Sequence, residues 1–363
     1  MSVILFIVIL VVLIVGHEFG HFIVAKLSGM RVPEFGLGFP PKLWGKKIGD
    51  TEYTINALPF GGFVKIVGED ANEHSSDPAA FSNRPKILQA ATLVAGPFSN
   101  IALAFLFSSI AFMAGVPAAL ENSANAEHLE NPRVLIVEVL SKSPAGEAGL
   151  KAGDRVISIS TDGTVHQITA PEEIALLVGV QTSPVTVAVE RGSEQLSFDI
   201  TPKSGLVPEE PERAAIGVAS ALVGTLRLPF FEAVARGFTD TVENAQKVFF
   251  GLIALIASAA TWSADVSNIS GPVGIASLAG DAFSFGLGSV FAFAAIISIN
   301  LGILNLLPFP ALDGGRLLFV VIETVIRKPI HHTVANTLNL VGFALLILLM
   351  LAVTAQDIVR LVT

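Results

Sequence analysis

Two histidines four residues apart, with an acid beside the first, can do chemistry that few local patterns allow. Gly16-His17-Glu18-Phe19-Gly20-His21 is such a pattern. On a helix, His17 and His21 lie one turn apart on one side, and their ring nitrogens can share a single Zn²⁺. Glu18 is placed to deprotonate an attacking water. The setting is unusual: residues 2–15 carry no charge and are apolar apart from Ser2. A helix of this kind is apolar on every side rather than along one stripe. Ionisable groups at the end of such a helix mark a functional site by default.

The rest of the composition fits that setting. Hydrophobic residues make up 52% of the chain and charged residues 15%, against about 25% charged in soluble domains. The bulk is aliphatic and phenylalanine, with 25 Phe, one Tyr and two Trp. A net charge of −9 excludes a general affinity for nucleic acid. With no cysteine there is neither a disulfide framework nor a thiolate metal site, so any metal must use His, Asp or Glu. The N-terminal apolar run lacks a basic n-region and a small-residue cleavage site, so it reads as retained.

A spanning helix needs about 20 predominantly apolar residues. Residues 1–16 qualify if the helix runs on through the motif, and 87–120, 282–312 and 333–356 are charge-free. The stretch 248–264 is marginal. Eight lysines and arginines lie in 24–87, against ten in the far longer 118–285. The positive-inside rule then puts the first loop in the cytoplasm and the N-terminus outside. Within that loop, 51–56 and 63–67 alternate and read as the two strands of a β-hairpin around Leu58-Pro59-Phe60-Gly61-Gly62. Phe35-Gly36-Leu37-Gly38-Phe39-Pro40-Pro41 is apolar and non-helical, and reads as a re-entrant loop.

A catalytic zinc site holds three protein ligands and leaves a fourth position open. His74, His128, His166, His331 and His332 lie in polar segments, which leaves Glu323 and Asp313 as candidates for the third. Asp313 is the better one. It ends the charge-free 282–312 in Asn305-Leu306-Leu307-Pro308-Phe309-Pro310-Ala311-Leu312-Asp313-Gly314-Gly315, where helix-breaking residues can aim a carboxylate inward. Parity agrees: a first span running inward and a third running inward bring both motifs to the same side. If 248–264 also spanned, Asp313 would end on the opposite face, so that stretch reads as an interfacial or partly buried helix.

Segment 130–203 reads as a soluble module, with strands at 134–139, 155–159, 184–190 and 195–201 and a helix at 171–179. Its Ser143-Pro144-Ala145, Ala148-Gly149-Leu150 and Gly153-Asp154 series resembles PDZ domains of the bacterial protease-associated type, which bind extended peptides along a sheet edge. The fold class expected is a polytopic α-helical membrane protein of about four transmembrane helices, with a membrane-associated β-hairpin and an inserted PDZ-like α/β domain. The expected divisions are 1–129 (N-terminal membrane half), 130–203 (PDZ-like), 204–281 (linker with interfacial helices) and 282–363 (C-terminal membrane half).

The HEFGH on a first span, the NLLPFPALDGG at the end of a later one and the inserted module together resemble the site-2 proteases in their bacterial sigma-E-regulating form. The resemblance extends to Leu58–Lys65, to Ala95-Gly96-Pro97 with Asn100, and to Ser270-Gly271-Pro272. It implies zinc held by His17, His21 and Asp313, Glu18 as catalytic acid/base, and Asn305, Gly38 and Phe39 in substrate binding. It further implies a bacterial inner-membrane enzyme with its site toward the cytoplasm and its PDZ-like domain outside. Its substrates would be single-span proteins such as anti-sigma factors already trimmed outside, their peptide termini meeting the PDZ-like domain. Where relatives often read Gly-Phe-Gly-Pro, this chain has Gly38-Phe39-Pro40-Pro41. Two other classes compete: a proteolytically inactive PDZ scaffold, which needs a missing ligand, and a metal or solute transporter, which would show internal repeats.

Overall fold

A computed structural model describes residues 2–69, 76–120, 128–140, 142–181, 183–192, 194–206, 210, 212–260 and 271–362. His74 and the end of the 248–264 stretch lie outside them. The chain divides into two compact units, one made of Met1–Ala111 with Phe230–Thr363 and the other of Phe112–Pro229.

The first unit is helical around a small sheet. Helix α1 (Ser2–Leu27) runs unbroken through the histidines, because residues 2–27 hold no proline and nothing in lipid competes for its backbone groups. Strands β1 (Glu34–Ile48) and β2 (Thr51–Lys65) follow, then α2 (Lys86–Ala114). After the second unit come α5 (Phe230–Ala260), α6 (Pro272–Ser284), α7 (Leu287–Asn305), α8 (Asp313–Ile326) and α9 (His332–Val362). Among the described residues, four helical stretches are long and apolar enough to cross a membrane: Val3–Leu27, Lys86–Ala114, Leu287–Asn305 and Thr333–Asp357. The 31-residue α5 is not one of them; charges from Glu232 to Lys247 occupy its first half.

Small residues set the helix packing. Ala104 of α2 is buried with Ala295 of α7, and Ala294 of α7 is buried with Ile9 and Leu13 of α1. Such residues let backbones approach closely where lipid supplies no hydrophobic drive. Gly16 and Gly20 do the same between α1 and α2, since a Cβ on Gly20 would stand 2.4 Å from Ala95 O.

The β1–β2 pairing corrects one expectation. Phe35–Pro41 is non-helical, as expected, and is extended within β1. The 51–56 and 63–67 runs are not hairpin partners: Glu34–Leu37 pairs with Glu52–Ile55 and also with Gly62–Lys65, separating them. Residues 42–48 then return along 51–56. Alternation identified the strands, but a segment paired twice leaves no local signature of which strand it separates. The 282–312 stretch is likewise not one helix, being divided between α6, α7 and a non-helical turn.

The second unit is a seven-stranded sheet with two short helices. It comprises β3 (Val116–Leu120), β4 (Leu129–Val139), α3 (Pro144–Ala148), β5 (Arg155–Thr161), β6 (Thr164–Gln167), α4 (Pro171–Val178), β7 (Val185–Arg191), β8 (Glu194–Ile200) and β9 (Val218–Leu226). The order is β3-β9-β4-β5-β7-β8, with β6 on β5. Its core holds Ile136, Val156, Ile159, Val187, Val189 and Ile200, the inward half of each alternating strand. The unit is wider than the 130–203 expected. β9 pairs with both β3 and β4, so Val218–Leu226 is part of the sheet and not linker. Its Val-Ala-Ser-Ala-Leu-Val-Gly-Thr-Leu pattern is too rich in small residues to read as a strand.

Asp154 ties this unit together. It is 1% exposed and accepts hydrogen bonds from Lys151 N at 2.9 Å and from Arg191 Nε and Nη2 at 2.7 and 2.8 Å. Burial alone would raise its carboxyl; the Arg191 and Lys151 hydrogen bonds outweigh burial and hold it below the ordinary carboxylate range. Its contribution is therefore present at neutral pH and lost as the pH falls through the carboxylate range. Asp154→Ala should cost about 1–2 kcal/mol at pH 7, a figure held down by the solvent around Arg191. Hydrogen exchange of the β5 and β7 amides in the full chain measures it, and the deficit relative to wild type should shrink toward pH 3. An unchanged deficit would remove the charge from the account.

Candidate metal centre

α1 carries the first two side chains, one helical turn apart, with ring centroids separated by 4.8 Å. Both are buried. The third comes from α8. Pro308 and Pro310 cannot continue α7, and the chain turns over 306–312 before Asp313 opens the next helix. Gly314 and Gly315 permit that tight turn: a Cβ on either would stand 2.2 Å from the carbonyl oxygen of Leu307 or Phe309. Asp313 Oδ2 thus lies 3.0 Å from His17 Nε2 and 3.3 Å from His21 Nε2, and the two Nε2 atoms are 3.2 Å apart.

Asp313 Oδ2 is buried and has no hydrogen-bond partner. Left that way, a buried oxygen is costly. Three ligand atoms, all within 4.8 Å of one another, could hold a metal ion, and two imidazoles with a carboxylate are a donor set that zinc accepts with one position open. α2 clears the space for them. At Gly96 a Cβ would stand 2.2 Å from His21 Nε2 and 2.8 Å from His17 Cε1, so only glycine fits beneath the two rings.

The ring nitrogens turned away from the trio are also held. His21 Nδ1 lies 2.7 Å from Thr92 O, and His17 Nδ1 lies 3.2 Å from the Asn100 amide. Glu18 Oε2 accepts from Val64 N of β2 at 3.1 Å. Two cavities open on the centre. One of about 360 Å³ is bordered by Glu18, His21 and Asp313 and by Phe63, Val64 and Ile66 of β2 and its end. The other, about 260 Å³, is bordered by His17, Glu18, Asn100, Asn305 and Asp313.

The sequence candidates separate cleanly. His17, Glu18, His21 and Asp313 come together, and Asn305 borders the second cavity. Gly38 and Phe39 do not border either cavity; Gly38 O accepts from Asn56, and Phe39 stacks on Phe63, which does border the first. Glu323 is taken up by Lys86 and Ile330 N. His128 and His166 belong to the other unit. Thr92, Gly96, Asn100 and Val64 were given no role from the sequence. The available signal was Asn100, an amide in the middle of a charge-free span, where an unsatisfied polar group is expensive.

Histidines and a carboxylate facing one another beside a free acid, on helices apolar enough to span a membrane, define a membrane-embedded metallohydrolase. The chain belongs to peptidase family M50, the site-2 protease family, whose profile matches residues 5–349. It is 35% identical over 348 residues to a Clostridium perfringens protein provisionally named a zinc metalloprotease, covering 96% of this chain and 95% of that one. A Nostoc protein with the same provisional name is 32% identical over 378 residues, covering 100% of this chain and 97% of its own. The zinc metalloprotease RasP of Geobacillus kaustophilus is 30% identical over 435 residues, covering 98% and 97%. The protein is accordingly a zinc metalloprotease with several membrane-spanning helices.

Proposed function

We propose that the enzyme cuts the transmembrane segment of single-span proteins in the bacterial inner membrane, with His17, His21 and Asp313 as the zinc ligands and Glu18 as the acid/base. The convergence of the three ligand atoms beside Glu18, on a helix otherwise apolar, carries this reading. A zinc ion held by His17, His21 and Asp313 would supply a Lewis acid and make a bound water more acidic. Glu18 takes a proton from the attacking water and returns it to the leaving amine. The hydrogen bond from Val64 N aims the carboxylate.

A membrane helix offers no free carbonyl, because its backbone groups are already bonded. The substrate must unwind first. Gly62–Lys65 pairs with β1 along one side, while Phe63, Val64 and Ile66 border the cavity beside Glu18. An unwound segment laid there gains strand-like backbone bonds within reach of the centre, and Asn305 supplies an amide from the opposite cavity. The orientation that goes with this is an external N-terminus and a cytoplasmic 24–87 loop. The 112–229 unit acts as a PDZ-like external module: a cavity of about 210 Å³ between α4 (Ile174, Val178) and the start of β9 (Gly217, Val218) suits a peptide end. Anti-sigma-like proteins shortened outside by another protease fit that arrangement.

The test is a single-span peptide reconstituted in a bilayer with the purified chain, offered with a short external tail and with a folded external domain. Cleavage inside the span, faster for the short tail, is expected. Cleavage only outside the span would reject the intramembrane reading, and equal rates would reject the requirement for trimming.

A further inference from the structure

Asn100 is 1% exposed and sits where three helices meet. Its backbone carbonyl accepts from Ser298 Oγ of α7 at 2.7 Å, and its side-chain Nδ2 lies 3.2 Å from His17 Nδ1 of α1. Its Oδ1 is buried with no protein partner, so in this structure the NH₂ faces His17; turning the amide over exchanges the two atoms. An amide buried this deeply, with one contact to one ligand, points to a role at that ligand.

The two histidines are held differently. His21 Nδ1 faces the Thr92 carbonyl, which can only accept, so the neutral ring carries its proton on Nδ1 and leaves the Nε2 lone pair for the metal. His17 faces an amide, which can offer either its NH₂ or its oxygen, and the two are distinguished only by their partners. With the NH₂ toward Nδ1, the His17 proton goes to Nε2, which lies 3.0 Å from Asp313 Oδ2, and that nitrogen cannot ligate. With the oxygen toward Nδ1, the proton is on Nδ1 and Nε2 is free.

We propose that Asn100 is the positioning residue that selects the zinc-binding tautomer of His17, by presenting its side-chain oxygen to Nδ1–H. Turned the other way, the same amide stabilises the metal-free pair of His17 and Asp313. His21 is set permanently by the backbone, and His17 is the ligand whose readiness depends on a side chain that can rotate. The proposal rests on His17 being a zinc ligand.

Three variants of the full chain in detergent test it, with zinc affinity read by chelator competition. Asn100→Leu keeps the volume and removes the acceptor; it should weaken zinc about 10–100-fold, the usual cost of losing such a partner. Asn100→Asp keeps an oxygen toward Nδ1–H and should stay within a few-fold of wild type. A residue that merely filled space would show the reverse order, because a buried charge without a partner is costlier than leucine. In zinc-loaded protein carrying ¹⁵N-histidine, both rings should show a proton on Nδ1, and Asn100→Leu should lose that state at one ring only. Wild-type affinity in Asn100→Leu, or Asn100→Asp weaker than Asn100→Leu, overturns the proposal. His17→Ala separates the two readings: if it leaves zinc affinity unchanged, the ligand assignment itself has failed.

Discussion

Glu18→Gln should abolish cleavage of a bilayer-embedded substrate while leaving zinc in place. Glutamine keeps the length of the side chain and an oxygen that can still accept from Val64 N, 3.1 Å away in the wild type. None of the three ligand atoms is altered. What is lost is the ability to take a proton from water and return it to the leaving amine, a contribution of about 10²–10⁴-fold for a positioned acid/base. Metal analysis beside a cleavage rate reads both halves of the prediction. A rate within a few-fold of wild type would assign proton transfer to another group. Loss of zinc together with activity would place Glu18 among the ligands instead.

The second large effect is expected at Asp313. Asp313→Ala removes the carboxylate that lies 3.0 and 3.3 Å from the two imidazole nitrogens and leaves two neutral donors. Two imidazoles from one helix do not close a tetrahedral site. Zinc affinity should fall by more than the roughly 10–100-fold of an outer-shell change, and cleavage should disappear with it. Glu323→Gln is the companion. Glu323 pairs with Lys86 at 2.5 Å and borders neither cavity of the centre, so its loss should leave zinc content unchanged. Full occupancy in Asp313→Ala would remove that residue from the site.

Much of the centre is legible in the amino-acid sequence. The four-residue spacing of His17 and His21 needs only a helix to become a pair of ligands, and an apolar run beginning at the N-terminus guarantees one. Pro308, Pro310, Gly314 and Gly315 announce a broken helix, and a broken helix in an apolar stretch has a polar reason. These are local or compositional signals, and the protease class follows from them. The strands of the second unit are legible for a similar reason, since alternation at period two survives without knowledge of the partner.

What the sequence could not state is which distant groups complete the local ones. Thr92 and Asn100 lie 71 and 83 positions beyond the histidines they hold, on a helix whose apolar pattern does not say which face meets α1. Gly96 acquires its meaning only when two imidazoles stand above it. Glu34–Leu37 became the shared partner of two later segments, and β9 joined a sheet from a stretch that resembled linker. By itself the sequence determined the protease class, the apolar spans and the one-turn pair of histidines, because helix period and membrane insertion act within a few residues. Only the tertiary structure decided which groups face the outer ring nitrogens of His17 and His21, the edge beside Glu18 and the extent of the second unit. Each of these depends on backbone and side-chain contacts between segments far apart in the chain, which no local period encodes.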